Sequence, residues 1–166
     1  VRGRKDETGR EVVGHALGGL YANLWARLFP QELAGLVLLD ATHPDDDILE
    51  RHVRFFPRSL TRVLMAKTTT VQQRLMTETA FEIAHAGPFP EVPLTIITGG
   101  KTVPRMTTSP KQARSHAARQ QQLVALSAVG KQIVAPKSGH YPHITDPQTV
   151  VHAVCEIVTC SRWAPA

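Results

Sequence analysis

The side chains able to do chemistry in this 166-residue sequence are mainly histidines, aspartates and two cysteines. Four of the histidines are not spaced as metal ligands on a helix and have no acidic residues grouped with them: His15, His43, His85 and His116. We therefore expect neither a metal site nor a metal cofactor.

Cys155 and Cys160 lie five residues apart in the last expected helix, on different faces of it. A bridge between them is not expected, because their side chains point apart. Reduced thiols of this kind are typical of a cytoplasmic protein, which is the localisation we expect.

The first elements alternate between strand and helix. Glu11–Val13 is a short predicted strand, and apolar residues then recur at spacings of three and four from Leu17 to Phe29. That spacing predicts a helix with one buried face, ended by Pro30. The continuous apolar run Leu33–Leu39 predicts a strand buried on both faces, as in a parallel sheet.

The remaining elements continue the alternation. We expect two or three helical pieces across 44–86, broken near Pro57 and Thr68, and then a strand at 93–98, a helix at 109–127, a strand at 131–135 and a helix from 146 to about 159. This order predicts an α/β fold with a parallel sheet flanked by helices. Ligands of such sheets bind at the carboxyl ends of the strands.

The segment Gly14-His15-Ala16-Leu17-Gly18-Gly19 leaves the first strand and opens the first helix. It resembles the nucleophile elbow of α/β-hydrolases, Gly-X-Ser-X-Gly, with Ala16 at the nucleophile position. The sharp turn of an elbow requires small residues two positions away on either side. The resemblance also implies that the N–H of Leu17 is an oxyanion donor. Because the elbow accounts for these glycines, we expect no phosphate-binding loop.

Near the end, Ser138-Gly139-His140-Tyr141-Pro142-His143 precedes Asp146-Pro147. This resembles the catalytic-histidine loop of the same family, which implies that His140 is the catalytic histidine. We expect His143 to be structural, His15 to pack rather than react, and His43 to lie in a surface loop. The resemblance implies a single, partial α/β-hydrolase domain over 1–166, containing roughly strands five to eight of that fold.

The acid that many family members place after the seventh strand is missing, since no aspartate or glutamate lies between Glu91 and Asp146. Haloalkane dehalogenases and some lipases place it after the sixth strand, where this sequence has Asp40. Asp40 is therefore the candidate partner of His140; the alternative is a loop residue that caps a turn before Pro44. We expect the following acids, Asp45, Asp46 and Asp47, to form a solvated helix start.

Ala16 has no lone pair for attack, so an acyl-enzyme cannot form there. Loss of a triad nucleophile typically costs about six orders of magnitude in turnover. Ala16 could be an engineered replacement of serine or a natural variant, since the aminoacrylate hydrolases also resemble Gly-His-Ala-Leu-Gly here. In a natural variant, Asp40 and His140 could act on water as a general base. We thus expect a hydrolase of small carboxylic esters or similar bonds, inactivated or altered at Ala16; the alternatives are a non-catalytic, ligand-binding pseudo-hydrolase and a truncated gene product.

The segment 44–86 occupies the position where the family inserts a helical cap. Its apolar residues either line an acyl pocket or form ordinary core, and they are Leu60, Val63, Leu64, Leu75, Met76 and Phe81. Without the first half of the fold, Glu11–Val13 is an exposed sheet edge. An exposed edge favours pairing with another chain, so we expect self-association.

Composition limits the partners. The formal net charge is +5, but the basic residues are scattered and no aromatic residues alternate with them, so nucleic-acid binding is not expected. No apolar run approaches the roughly 18 residues needed to span a membrane. The expected partner is a small-molecule substrate or ligand.

Overall fold

The computed structural model describes residues 9–46, 61–101 and 110–163. The strands are β1 (Arg10–His15), β2 (Leu33–Leu39), β3 (Leu94–Gly99) and β4 (Gly130–Ala135). The helices are α1 (Leu17–Leu28), α2 (Thr61–His85), α3 (Pro110–Val124), α4 (Pro142–Thr145) and α5 (Pro147–Trp163), and a short 3-10 helix (Pro30–Glu32) lies between α1 and β2.

The four strands form one parallel sheet in the order β1-β2-β3-β4. The register pairs His15 with Leu39 and Leu39 with Ile97, so the carboxyl ends of β1, β2 and β3 meet at the same edge of the sheet. The predicted parallel sheet flanked by helices is therefore confirmed. Within the described residues, β1 and β4 are the outer strands.

Strand β2 is the centre of the core because alternate side chains enter opposite faces of the sheet. On one face Leu36 and Leu38 pack with Ala26 of α1 and Leu123 of α3. On the other face Val37 packs with residues of α5. Burial on both faces explains why β2 is a continuous apolar run.

Helix α2 runs unbroken from Thr61 to His85, so the break expected near Thr68 is wrong; Pro57 lies outside the described residues. Met76 and Ile83 of this helix pack with the buried Leu20 of α1. Leu75 and Phe81, in contrast, are 45% and 64% exposed. Of the side chains proposed for an acyl pocket, Met76 therefore belongs to a small core, and those of Leu60, Val63 and Leu64 lie outside the described part.

Helix α4, a single turn, was not expected and separates the His140 loop from α5. Among the helices in the described ranges, none is both long and apolar enough to cross a bilayer.

Candidate functional site

The turn between β1 and α1 contains one residue in a strained backbone conformation. Ala16 has φ 49° and ψ −119°, a region that side-chain-bearing residues rarely adopt. Its N–H donates to the carbonyl of Leu39 (3.1 Å), and its own carbonyl accepts from the N–H groups of Gly19 (3.0 Å) and Thr42 (2.9 Å). The turn after β1 is thus tied to the turn after β2 through main-chain atoms.

Close packing around this turn depends on Gly14 and Gly19. A Cβ at Gly14 would lie 2.8 Å from the Cα of Gly19, and a Cβ at Gly19 would overlap the Cβ of Ala41. A Cβ at Gly18, however, would meet nothing within 4 Å. The expectation that the residue two positions after Ala16 must be small is therefore wrong; the crowded position is one residue later, because there α1 contacts the end of β2.

Leu17 is the first residue of α1, directly after Ala16. N–H groups in the first turn of a helix have no acceptor within the helix and carry the positive end of its dipole. The family resemblance assigns the role of oxyanion donor to the N–H of Leu17, and that role stays a prediction.

Asp40 directly follows β2, has φ 41° and is 6% exposed. Its Oδ2 accepts a hydrogen bond from Nδ1 of His140 at 2.7 Å, and its Oδ1 accepts one from Nε2 of His116 at 2.9 Å. Both carboxylate oxygens are therefore used by imidazoles, and neither of these bonds caps the turn before Pro44.

Burial alone raises the pKa of the Asp40 carboxyl, but the hydrogen bonds and charges of His116 and His140 outweigh burial and hold that pKa well below its usual range. Asp40 is accordingly ionised and only accepts hydrogen bonds. It follows that Nδ1 of His140 carries the proton of their shared hydrogen bond. In a neutral His140 ring, Nε2 is left as the basic nitrogen.

The loop that carries His140 is held against the end of β3. A Cβ at Gly99 would overlap the carbonyl of Gly139, so only glycine allows this close approach. The buried Ser138 accepts a hydrogen bond on Oγ from Thr145 Oγ1 at 2.7 Å, and its carbonyl accepts the N–H of Lys101 at 2.8 Å.

His15 connects this loop to the turn at Ala16. Its Nε2 lies 2.8 Å from the carbonyl of His140, and its ring packs 4.9 Å from that of His140 and 4.6 Å from that of His143, centroid to centroid. Burial lowers the pKa of His15, which favours the neutral ring with Nε2–H as the donor. The structure therefore brings Ala16, Asp40 and His140 to one edge of the sheet.

Sequence reasoning missed a set of contacts from α3. His116, Arg119 and Gln120 share one face of this helix, and they contact Asp40, Asp46 and the carbonyl of Ala41 respectively. The spacing of these three polar residues, i, i+3 and i+4, was the only sequence signal that they share a helix face. Nothing in the sequence indicated which buried groups they meet.

Two expectations about the turn after Asp40 are wrong. The Asp46 side chain is 4% exposed and pairs with Arg119 at 2.7 Å, so it is not part of a solvated helix start. The Asp45 side chain is 80% exposed, and Asp47 lies outside the described residues. The His43 side chain, which was expected on the surface, is only 13% exposed, and burial lowers its pKa.

The arrangement provides an oriented base without a nucleophile at position 16. His140 keeps 38% of its side chain exposed, so solvent reaches the ring. In the described ranges, no group of three or more histidine, cysteine or acidic side chains is placed to hold a metal ion.

Comparison with solved structures gives the same fold at low sequence identity. An α/β hydrolase from the metagenome of lagoon sediments at Mar Chica, Morocco, matches with a TM-score of 0.60 at 14% identity, over 95% of this chain and 64% of that one. A variant of tomato methylketone synthase I complexed with beta-ketoheptanoate matches at 0.58 and 12% identity, over 92% and 72%. A thermophilic esterase from Thermogutta terrifontis with malate bound matches at 0.54 and 17% identity, over 93% and 66%.

This chain thus spans about two thirds of the length of these structures. No curated protein sequence matches it. The model of the alpha/beta hydrolase family matches residues 3–153, which is most of the chain. Together with the parallel sheet and its flanking helices, this match shows that the chain belongs to the alpha/beta hydrolase family.

Proposed function

We propose that this protein hydrolyses small carboxylic esters or similar acyl bonds, with water as the nucleophile and His140 as the general base. The observation that carries the proposal is the 2.7 Å hydrogen bond between Asp40 Oδ2 and His140 Nδ1. It orients the imidazole and leaves Nε2 as the nitrogen that takes a proton.

In the proposed reaction, Nε2 of His140 removes a proton from water while the water oxygen attacks the acyl carbon. The carbonyl oxygen becomes an oxyanion, which the N–H of Leu17 stabilises at the start of α1. Collapse of the tetrahedral intermediate breaks the bond to the leaving alkoxide, and His140 returns its proton to that oxygen. Asp40 stays ionised throughout and balances the charge of the imidazolium.

We further propose that the turn at Ala16 is a nucleophile elbow whose nucleophile has been replaced. Its left-handed φ and the packing of Gly14 and Gly19 support this assignment. Helix α2, which packs on α1 through Leu20 and Met76, would then belong to a cap. That one similar structure is an esterase supports the reaction class.

The test compares hydrolysis of p-nitrophenyl acetate and p-nitrophenyl butyrate by the unmodified chain and by His140→Gln and Asp40→Asn. A positioned general base contributes about a hundredfold to ten-thousandfold, so we expect both substitutions to remove most turnover. His152→Gln is the matched control, because His152 is exposed on α5. Equal rates in the unmodified chain and His140→Gln would refute the proposal.

A second candidate function is binding without turnover, and the lack of a nucleophile at Ala16 favours it. Two of the similar structures hold carboxylates, beta-ketoheptanoate in one and malate in the other. Heptanoate is therefore a suitable probe for calorimetric titration. Saturable binding of heptanoate together with no ester turnover would support this candidate over hydrolysis.

A further inference from the structure

The carboxylate of Asp40 has a second imidazole partner that the reaction above does not use. His116 lies on α3, 76 residues from Asp40 along the chain, and its Nε2 contacts Oδ1 at 2.9 Å. The two side chains are 29% and 8% exposed respectively, so this contact is largely shielded from solvent. Shielded hydrogen bonds to a charged acceptor are stronger and better defined than exposed ones.

We propose that His116 is a positioning residue, which fixes the rotation of the Asp40 carboxylate so that Oδ2 faces His140. The carboxylate torsion of aspartate is intrinsically broad. With a single imidazole bound, the group could turn and offer His140 either oxygen, at a range of angles. With one imidazole bound to each oxygen, two hydrogen bonds in different directions fix the plane of the carboxylate.

Two neighbours on α3 strengthen the same arrangement. Gln120, which is fully buried, donates from Nε2 to the carbonyl of Ala41 at 2.8 Å, and Arg119 pairs with Asp46 at 2.7 Å. One face of α3 therefore contacts Asp40, Ala41 and Asp46, all in the turn that follows β2. Because Asp40 has a left-handed φ, its backbone needs such support to stay in place.

The ionised state of Asp40 fixes both tautomers. A carboxylate only accepts hydrogen bonds, so His116 donates from Nε2 and His140 donates from Nδ1. A side chain at position 116 that keeps a donor near the Nε2 position should therefore keep the orientation, whether or not it can titrate. Glutamine has such a donor, and alanine has none.

This inference deepens the proposed hydrolysis and rests on it for its effect on rate, but its main test needs no turnover. The experiment records imidazole N–H proton resonances of the full chain and of His116→Ala and His116→Gln, with His140→Gln to assign the His140 signal. We expect His116→Ala to shift or broaden the His140 Nδ1–H signal, through faster exchange with water. His116→Gln should leave that signal in place, and the His152→Gln control should not affect it.

Ester hydrolysis by the same variants gives the second readout. We expect kcat to fall about tenfold in His116→Ala with KM little changed, because orientation of a base affects the transition state rather than binding. His116→Gln should recover most of that loss. An unchanged His140 N–H signal in a folded His116→Ala chain would overturn the inference, and so would a His116→Gln chain that behaves like His116→Ala. Absence of turnover in the unmodified chain would count against the proposed function alone, since the resonance test still decides the role of His116.

Discussion

Asp40 and His140 are 100 positions apart in the chain, and a hydrogen bond of 2.7 Å joins Oδ2 of the first to Nδ1 of the second. The parallel sheet makes this contact possible, because Asp40 follows β2 and the loop of His140 follows β4, so both lie at the carboxyl edge. The predictions below concern this edge and the strands that form it.

Asp40 should make the chain sensitive to acid. Its pKa is lower in the folded chain than in the unfolded chain, so the unfolded state binds more protons between the two values. The stabilisation is fully present above the unfolded pKa of about 3.9 and is lost as the pH falls through the folded value. We expect denaturant unfolding to show a steeper loss of stability between about pH 5 and pH 3 in the unmodified chain than in Asp40→Asn. Asp45→Asn, which changes an exposed carboxylate, should keep the steeper loss.

Ala16→Ser should restore a covalent mechanism. The hydroxyl would stand on a turn with a positive φ, at the edge of the sheet where the proposed base His140 also lies. We expect a fluorophosphonate probe to label the variant at position 16, detected by peptide mass spectrometry, and not to label the unmodified chain. Combining Ala16→Ser with His140→Gln should abolish labelling. Labelling that persists in the double variant would show that His140 does not activate this position.

Gly18 and Gly19 form a matched pair for testing the packing of α1 on the end of β2. Gly19→Ala places a methyl group against Ala41 and should destabilise the fold by about 1–3 kcal/mol. Gly18→Ala meets open space in a helix and should be neutral or stabilising by up to about 1 kcal/mol. Chemical denaturation measures both variants. Equal effects would contradict the contact between Gly19 and Ala41.

The outer strand β1 should promote association of the chain. Val13 on this strand is 47% exposed, and in the described sheet only β2 pairs with β1. We expect sedimentation velocity to show species larger than the monomer, and Val13→Lys to reduce them, because lysine on an edge strand opposes pairing. A monodisperse monomer that melts cooperatively before any substitution would refute this expectation.

Much of the fold could be predicted from the sequence because it depends on local patterns. The apolar run at 33–39 and the spacing from Leu17 onward indicated a buried strand and an amphipathic helix, and β2 and α1 occupy those positions. Length was harder to predict where apolar periodicity is weak, as in α2, which continues through Thr68 without the predicted break.

The candidate site likewise contains residues that could be predicted from the sequence and residues that could not. Asp40 and His140 could be proposed because of the family resemblance: His140 lies in a segment similar to the catalytic-histidine loop, and Asp40 directly follows the strand after which some family members place the acid. His116 could not, since its contact with Asp40 depends on how α3 rotates against the sheet, and a single sequence carries little information about that rotation. The burial of Asp46 was missed for the same reason, because Arg119 reaches it from the same helix.

The main-chain ties between the turns after β1 and β2 also have a consequence for local opening of the fold. Ala16 N–H bonds to Leu39, and Thr42 N–H bonds back to Ala16. Neither turn can therefore open without breaking bonds to the other, so the amides of Ala16 and Thr42 should exchange with solvent together and more slowly than typical turn amides. Any molecule that slows the opening of one of these turns should therefore protect the amides of both from exchange. The coupling runs through backbone atoms, so no side-chain substitution at position 16 removes it.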